Sequence, residues 1–350
     1  MSPKALSIFF LGATGYVGGQ FIKYLGKEHP EIPVYALLRS PGKIEQLRML
    51  HPDVKPVAGS LDDLDIVKNE AAKHSIVVNT ASSDHSKSIE ATLAGLKEYS
   101  IGNPGNPPLY IHTSGLGITS DNSRGEPIPI QKVWSDVGLK LESFNPDNYH
   151  LNGDAMIVAA GKDKQVPVRT IIVFPGFIYG VSEGPEKITL AMRLYVRVAR
   201  EAGHVGTWGP GANKAVNCHV KDVANALLVI FDAALQGTAE EGEEGLYFVL
   251  SNNPALTMYE FNSALGDALF KKGFLKTPEC KPLPNEVTAR LGEYGWSVLG
   301  GNLMAQADRI QRLGWKPVVS DQISTLDCME EEVSVMLENK AFERAEVVIS

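Results

Sequence analysis

Gly12, Gly15 and Gly18, spaced three apart, end an apolar run from Leu6 to Leu11 and open a segment in which Val17, Phe21, Ile22 and Leu25 recur at helical spacing. A run of Ile, Phe and Leu with little alternation suits a parallel strand buried on both faces, so the pattern passes from strand to helix across the glycines. Gly12 permits a sharp turn, Gly15 lets backbone N–H groups approach a pyrophosphate at the positive end of the helix, and Gly18 allows close helix-to-strand contact. The spacing is Gly-x-x-Gly-x-x-Gly rather than Gly-x-Gly-x-x-Gly. Its strand and helix context predicts a dinucleotide turn that Thr14, Tyr16 and Val17 also border.

Residues 33–38, 53–58, 76–79, 109–112 and 168–174 read as further strands, with helices over 43–50 and 88–99 between them. Such alternation predicts an α/β chain with a Rossmann-type, doubly wound parallel sheet, because right-handed crossovers place helices on both faces. Ligands bind at the carboxyl ends of such strands. The region from about 176 to 320 is less regular and richer in Gly and Pro, with helices near 188–201 and 223–235 and a strand near 247–250. The expected organisation is a dinucleotide-binding domain over 1–175 and a smaller, mainly substrate-binding lobe over 176–350. Segments near 216–236 and 246–250 of that lobe return to the sheet. The acidic stretch 237–245, with Glu240, Glu241, Glu243 and Glu244, reads as a solvated loop.

With 350 residues, 44% of them hydrophobic and 21% charged, the chain can bury a substantial core. A formal net charge of −8 argues against a general nucleic-acid surface. The three cysteines, Cys218, Cys280 and Cys328, are odd in number and far apart, which points to neither a disulfide framework nor a zinc cluster and fits a reducing, cytoplasmic location. No metal is expected, since His204 and His219 lack partners at ligand spacing. The N-terminal apolar run is too short for a membrane span. The expected partner is a small-molecule substrate, and a homodimer is compatible with the sequence.

Four further segments extend the pattern: His112-Thr-Ser114-Gly at a strand end, Phe174-Pro-Gly-Phe-Ile-Tyr-Gly180, His219-Val-Lys-Asp-Val-Ala224, and Leu313-Gly-Trp-Lys-Pro317. Together with the glycine turn they resemble, in order, the motifs of the extended or atypical short-chain dehydrogenase/reductase superfamily, related to nucleoside-diphosphate-sugar epimerases and dehydratases. The resemblance spans roughly residues 5 to 330. It implies a catalytic serine at Ser114, a nicotinamide border at Pro175, Gly176 and Phe177, an adenine-side segment at Leu61 and Asp62, and passage of the cofactor ribose and phosphates past Thr80, Ala81 and Ser82. Tyr179 and Asn217 are candidates to line the substrate pocket, whereas His219 and Asp222 are expected to fix the crossover rather than react.

The chain departs from that family at the Tyr-x-x-x-Lys pair. The matching register gives Tyr149-His-Leu-Asn-Gly153, and a shift by one gives His150 and Asp154, so the lysine is absent in both. An unassisted tyrosine titrates near 10, so only about one phenol in a thousand is ionised at pH 7. Such a group still serves as a proton donor but is a poor base, which favours reduction or chemistry without net redox change. His150 and Asp154, four residues apart on a helix, offer an alternative donor in which the carboxylate favours the imidazolium.

Cofactor choice is read at the end of the second strand, where an acid binds the ribose hydroxyls of NAD and an arginine accommodates a 2′-phosphate. Here Arg39 and Ser40 occupy that place and no acid lies between Ile32 and Ile44, favouring NADP(H). The leading expectation is an NADP(H)-dependent reductase of a small organic carbonyl or related unsaturated substrate. A non-redox isomerase, cyclase or lyase that keeps the cofactor site, and an NADP(H)-sensing regulatory protein without catalysis, are the alternatives.

Overall fold

Seven short apolar strands align in parallel in the computed structural model, which describes residues 6–344. They are β1 (Ile8–Leu11), β2 (Val34–Leu38), β3 (Val54–Ala58), β4 (Ile76–Asn79), β5 (Leu109–Thr113), β6 (Arg169–Pro175) and β7 (Leu246–Val249). Their order across the sheet is β7-β6-β5-β4-β1-β2-β3. Every residue of β1, β4 and β7 is buried, as continuous apolar runs covered on both faces require. β3 holds exposed positions and Pro56, which only an edge strand tolerates. The six strands after the first fall within one residue of their expected limits.

Eight helices matter for the site: α1 (Tyr16–Glu28), α2 (Ile44–Arg48), α3 (Leu64–Ala71), α4 (Ser86–Gly102), α5 (Leu151–Lys162), α6 (Leu190–Ala202), α7 (Val220–Leu235) and α8 (Met258–Lys271). α1 packs on α7, and α3, α4 and α5 pack in sequence as a second row. Right-handed crossovers put those rows on opposite faces. Phe10, Phe21 and Phe231 pack in turn, tilted and then edge-on, with ring centroids 5.9 and 6.4 Å apart, and lock β1, α1 and α7 into one core. Removing a ring of that kind typically costs about 3–5 kcal/mol.

The chain leaves β3, crosses behind β1 and re-enters at β4, so the carboxyl ends of β1 and β4 part and leave a crevice. Beyond β6 the short strand Phe177–Tyr179 pairs in parallel with Asn217–His219, and α7 and β7 then return to the sheet. The long segment between β5 and α5 is tied down by Asp136, whose carboxylate accepts backbone N–H groups of Phe248, Asp308 and Arg309.

The acidic stretch 237–245 corrects one expectation. It is not simply solvated: Glu240 and Glu244 both pair with Arg309, Glu241 pairs with Arg169, and Glu243 pairs with Lys140 and Lys162. Arg309 is 3% exposed. A guanidinium so enclosed requires its carboxylates, and the fold brings those cations from three separate parts of the chain.

Candidate active site

Gly12 adopts φ +91°, and a Cβ there would stand 2.6 Å from the Ala81 amide nitrogen. A Cβ on Gly18 would run into the Gly12 carbonyl and Thr80 Oγ1. Gly15 precedes α1 in extended conformation with no side chain capping the helix, so the first N–H groups of α1 are open to an anion. Those observations fit a dinucleotide pyrophosphate. Thr80 Oγ1 donates to the carbonyls of Leu11 and Gly12, both at 3.3 Å, and joins the ends of β1 and β4. The Ala81 N–H is held by Asn79 Oδ1 at 2.9 Å, while Ser82 Oγ accepts the Asp84 N–H. Thr14 and Val17 remain partly exposed. Tyr16 is buried and its hydroxyl donates to the Gly180 carbonyl at 2.6 Å, bracing the turn against the loop after residue 179.

Arg39 and Ser40 stand exposed beyond β2, and Leu61 and Asp62 lie beyond β3 with the Asp62 carboxylate 3.1 Å from His85 Nε2. Pro175 and Gly176 are buried at the end of β6, where a Cβ on Gly176 would stand 2.7 Å from the Val216 carbonyl oxygen. Phe177 packs edge-on against Phe261.

Ser114 follows β5, its N–H on the Val173 carbonyl and its Oγ donating to Asp154 Oδ2 at 2.8 Å. α5 starts just after His150, which takes the left-handed conformation at φ +78°. That geometry costs of order 1 kcal/mol for a side-chain-bearing residue. Asp84 holds it in place, accepting the His150 N–H at 3.0 Å and lying 2.8 Å from Nδ1. Burial raises the Asp84 carboxyl, but the hydrogen bond and charge of His150 outweigh this and keep it below the ordinary carboxylate range. A carboxylate against Nδ1 assigns that nitrogen the proton and turns Nε2 outward. Nε2 makes no hydrogen bond among the described residues, and it borders the loop after Ser114: a Cβ on Gly115 would stand 3.0 Å from it and one on Gly117 2.9 Å. Gly115 and Gly117 therefore supply space for an imidazole.

Asp154 is completely buried, and burial pushes its carboxyl up to about 7 against the opposing pull of His150 and Ser114. His112 from β5 is equally enclosed; burial, and next the charge of His150, draw its imidazole down to about 3. Tyr149 is half-buried with its ring edge-on to Tyr294 at 5.0 Å, and burial, then Glu293 and Asp84, raise its phenol further.

Residues 12–102 match the family model described as NAD(P)H-binding. Oxidase ucsJ of Acremonium sp is 31% identical over 338 residues, a match spanning 91% of this chain and 95% of the relative. The chain belongs to the same family as that oxidase, and its first part is an NAD(P)H-binding domain. Among solved structures it resembles dTDP-glucose 4,6-dehydratase from Bacillus anthracis in complex with NAD, with 17% identity and a TM-score of 0.66 over 98% of this chain and 100% of that one. The yeast methylglyoxal/isovaleraldehyde reductase complexed with NADPH aligns with a TM-score of 0.59 at 18% identity, over 96% of this chain and 100% of that one. At those identities the structural likeness shows a shared fold.

The corner where the sequence resemblance would put a Tyr-x-x-x-Lys pair is built differently here. A Cβ on Gly153 would stand 2.7 Å from Ile89 Cδ1 and 2.9 Å from the Ser83 carbonyl oxygen, so the space for a lysine is closed. The expected His150–Asp154 pairing is also replaced: His150 binds Asp84, and Asp154 turns inward to Ser114. Left-handed geometry at His150 takes its side chain out of the helical progression that would have put the two on one face. Tyr179 and Asn217 are engaged in the scaffold. The Tyr179 hydroxyl donates to the Ile323 carbonyl at 2.6 Å, and the Asn217 side chain lies between the Pro254 carbonyl and Ser251 Oγ. His219 accepts the Lys221 N–H as the cap of α7, and Asp222 holds the backbone of Val319 and Ser320. Sequence reasoning missed Asp84. Its signal was the polar run Ser82-Ser83-Asp84-His85 at the carboxyl end of a central strand.

Proposed function

We propose that the protein is an NADP(H)-dependent reductase of a small organic carbonyl or related unsaturated substrate, with His150 as proton donor oriented by Asp84 and with Ser114 beside the substrate oxygen. The observation that carries this reading is the Asp84 carboxylate 2.8 Å from His150 Nδ1, which aims Nε2 at the loop after Ser114. An imidazole exchanges protons in the neutral range as a tyrosine without its lysine does not. When bound, the nicotinamide supplies a hydride to the carbonyl carbon. His150 Nε2 gives a proton to the oxygen and regains it from solvent, while Asp84 keeps the ring oriented. In the reverse direction, alcohol oxidation, Nε2 takes that proton back.

Arg39 and Ser40, exposed beyond β2 in a stretch with no acid between Ile32 and Ile44, support a cofactor carrying a 2′-phosphate. Tyr149 packs edge-on against Tyr294, and Val298 Cγ2 lies 3.4 Å from the Cβ position of Gly117, which itself borders the imidazole. Arg124 is committed to Glu293 at 3.0 Å and stacks on Trp296 at 4.8 Å. Such walls suit an uncharged organic substrate better than a nucleotide diphosphate, which calls for cations.

The test mixes the protein with NADPH and a panel of carbonyl compounds while nicotinamide absorbance and product mass are followed. His150→Ala is expected to lower turnover by roughly 100-fold or more, whereas Tyr149→Phe keeps it within about threefold. A silent His150→Ala beside a disabling Tyr149→Phe returns the role to the tyrosine. Product without NADPH oxidation assigns an isomerase, cyclase or lyase.

A further inference from the structure

Below the proposed proton donor lies a second polar chain that the reaction as written does not use. Asn79 Oδ1 accepts the Ala81 N–H, which fixes the amide and turns Asn79 Nδ2 toward His112 Nδ1 at 3.2 Å, where the Tyr110 hydroxyl also stands at 3.2 Å. His112 is neutral, and its Nε2 faces Asp154 Oδ1 at 4.0 Å. Both atoms are enclosed and without a hydrogen-bond partner among the described residues. Asp154 Oδ2, on the other side of the carboxyl, accepts the only hydrogen of the Ser114 hydroxyl. On a neutral carboxyl at 154, a proton on Oδ2 has Ser114 Oγ at 2.8 Å to receive it, whereas one on Oδ1 has no hydrogen-bond partner among the described residues, His112 Nε2 standing 4.0 Å away.

We propose that Asp154 is a positioning residue whose protonation sets the direction of the Ser114 hydroxyl hydrogen. As carboxylate it holds that hydrogen inward, away from the substrate. As carboxylic acid it gives its own hydrogen to Ser114 Oγ, and the serine hydrogen turns outward to the carbonyl oxygen. This rests on the reading that Ser114 faces the reacting carbonyl. No atom is transferred to substrate, and the exchange is one proton between Asp154 and solvent. The titratable groups facing Asp154 are His112 and Tyr110 from β5, His150 at the start of its own helix and Asp84 from the β4–α4 loop. Burial outweighs the pull of His150 and Ser114 and holds the carboxyl at about 7, so the switch operates around neutral pH. Reduction is thereby favoured on the acid side.

Two measurements test this. Infrared difference spectra of the wild-type chain, taken across pH 5.5 to 8.5, are expected to show a buried carboxylic acid band. It should be lost as pH rises, be absent in Asp154→Asn and be displaced in Ser114→Ala, whose partner for that hydrogen is gone. A band that Asp154→Asn removes but Ser114→Ala leaves unmoved, or no titrating band that Asp154→Asn removes, overturns the proposal; Glu332, the other enclosed carboxyl that titrates in this range, keeps its band in both variants. Independently, Asp154→Asn presents a permanent N–H donor to Ser114 Oγ. Its kcat for NADPH-dependent reduction at pH 6 should remain within about threefold of wild type, and at pH 8.5 it should exceed wild type by several-fold. Loss of kcat by Asp154→Asn as deep as that of Ser114→Ala at every pH also overturns it. Inactivity of the wild-type chain on every carbonyl would count against the proposed function, whereas the infrared result stands or falls on the Ser114–Asp154 bond alone.

Discussion

Arg39 is exposed at the carboxyl end of β2, one residue past a strand whose last three positions are buried. If its guanidinium binds a 2′-phosphate, Arg39→Asp removes a charge-assisted hydrogen bond and adds a repelling charge. NADPH binding is then expected to weaken by about 1.5–3 kcal/mol or more, with NADH affected less. Titrating nicotinamide fluorescence with both cofactors measures the difference, and equal weakening would remove Arg39 from that role. At this scale the sequence was legible wherever a residue's place followed from its neighbours in the chain. Ser114 sits at a strand end, and Gly12 adopts the positive φ that a sharp turn requires. Partners were another matter. Asp84 is 66 residues from His150, and Ser114 is 40 residues from Asp154, so neither pairing leaves a local pattern.

Among the elements, the join between β5 and α5 gives the site its character. Gly115 is extended at φ −155°, which any residue adopts, so what glycine provides there and at Gly117 is room. Gly117→Ala would place a methyl 2.9 Å from His150 Nε2 and 3.4 Å from Val298 Cγ2. The imidazole must give way, and turnover is expected to fall by about tenfold or more while circular dichroism and unfolding midpoint change little. Unchanged turnover in a folded Gly117→Ala protein would show that the imidazole edge does not need that space. Restoring the family lysine by Gly153→Lys is not a clean converse experiment. Its Cβ meets Ser83 backbone and Ile89, so the β4–α4 loop that carries Asp84 would be displaced as well. The strands were readable because each is a short apolar run bounded by turn residues. The left-handed start of α5 was not, because it depends on a carboxylate from another loop.

Across the whole molecule, the helix Met329–Glu338 closes on the nucleotide turn through a buried acid. Glu332 is fully enclosed; burial pushes its carboxyl up to about 8, the Gly180 N–H opposing and Glu331 adding to the rise. A carboxyl raised on folding keeps its proton in the native chain where the unfolded chain has lost it. The native state is therefore favoured most below the ordinary carboxyl value of 4.5 and loses that advantage as pH climbs toward about 8. Asp154 adds a contribution of the same sign that ends near 7. Urea unfolding from pH 5 to 8.5 is expected to show declining stability in the wild type and a shallower decline in Glu332→Gln. Parallel slopes would mean that Glu332 is ionised in the folded chain. The ion pairs around 240–244 were invisible in sequence for the same reason as Asp84: their cations come from residues 140, 162, 169 and 309.

The place of β7 bears on how this chain must be made. β6 ends at Pro175 and its outer partner begins at Leu246, so the growing polypeptide carries one uncovered row of amides and carbonyls while roughly seventy further residues are synthesised. At about 5–20 residues per second, that edge stands open for about 4–14 seconds. An open edge of Thr170, Ile171, Ile172, Val173 and Phe174 is a template for pairing with another nascent chain. Until the missing neighbour emerges, that strand is the part of the sheet most open to such pairing.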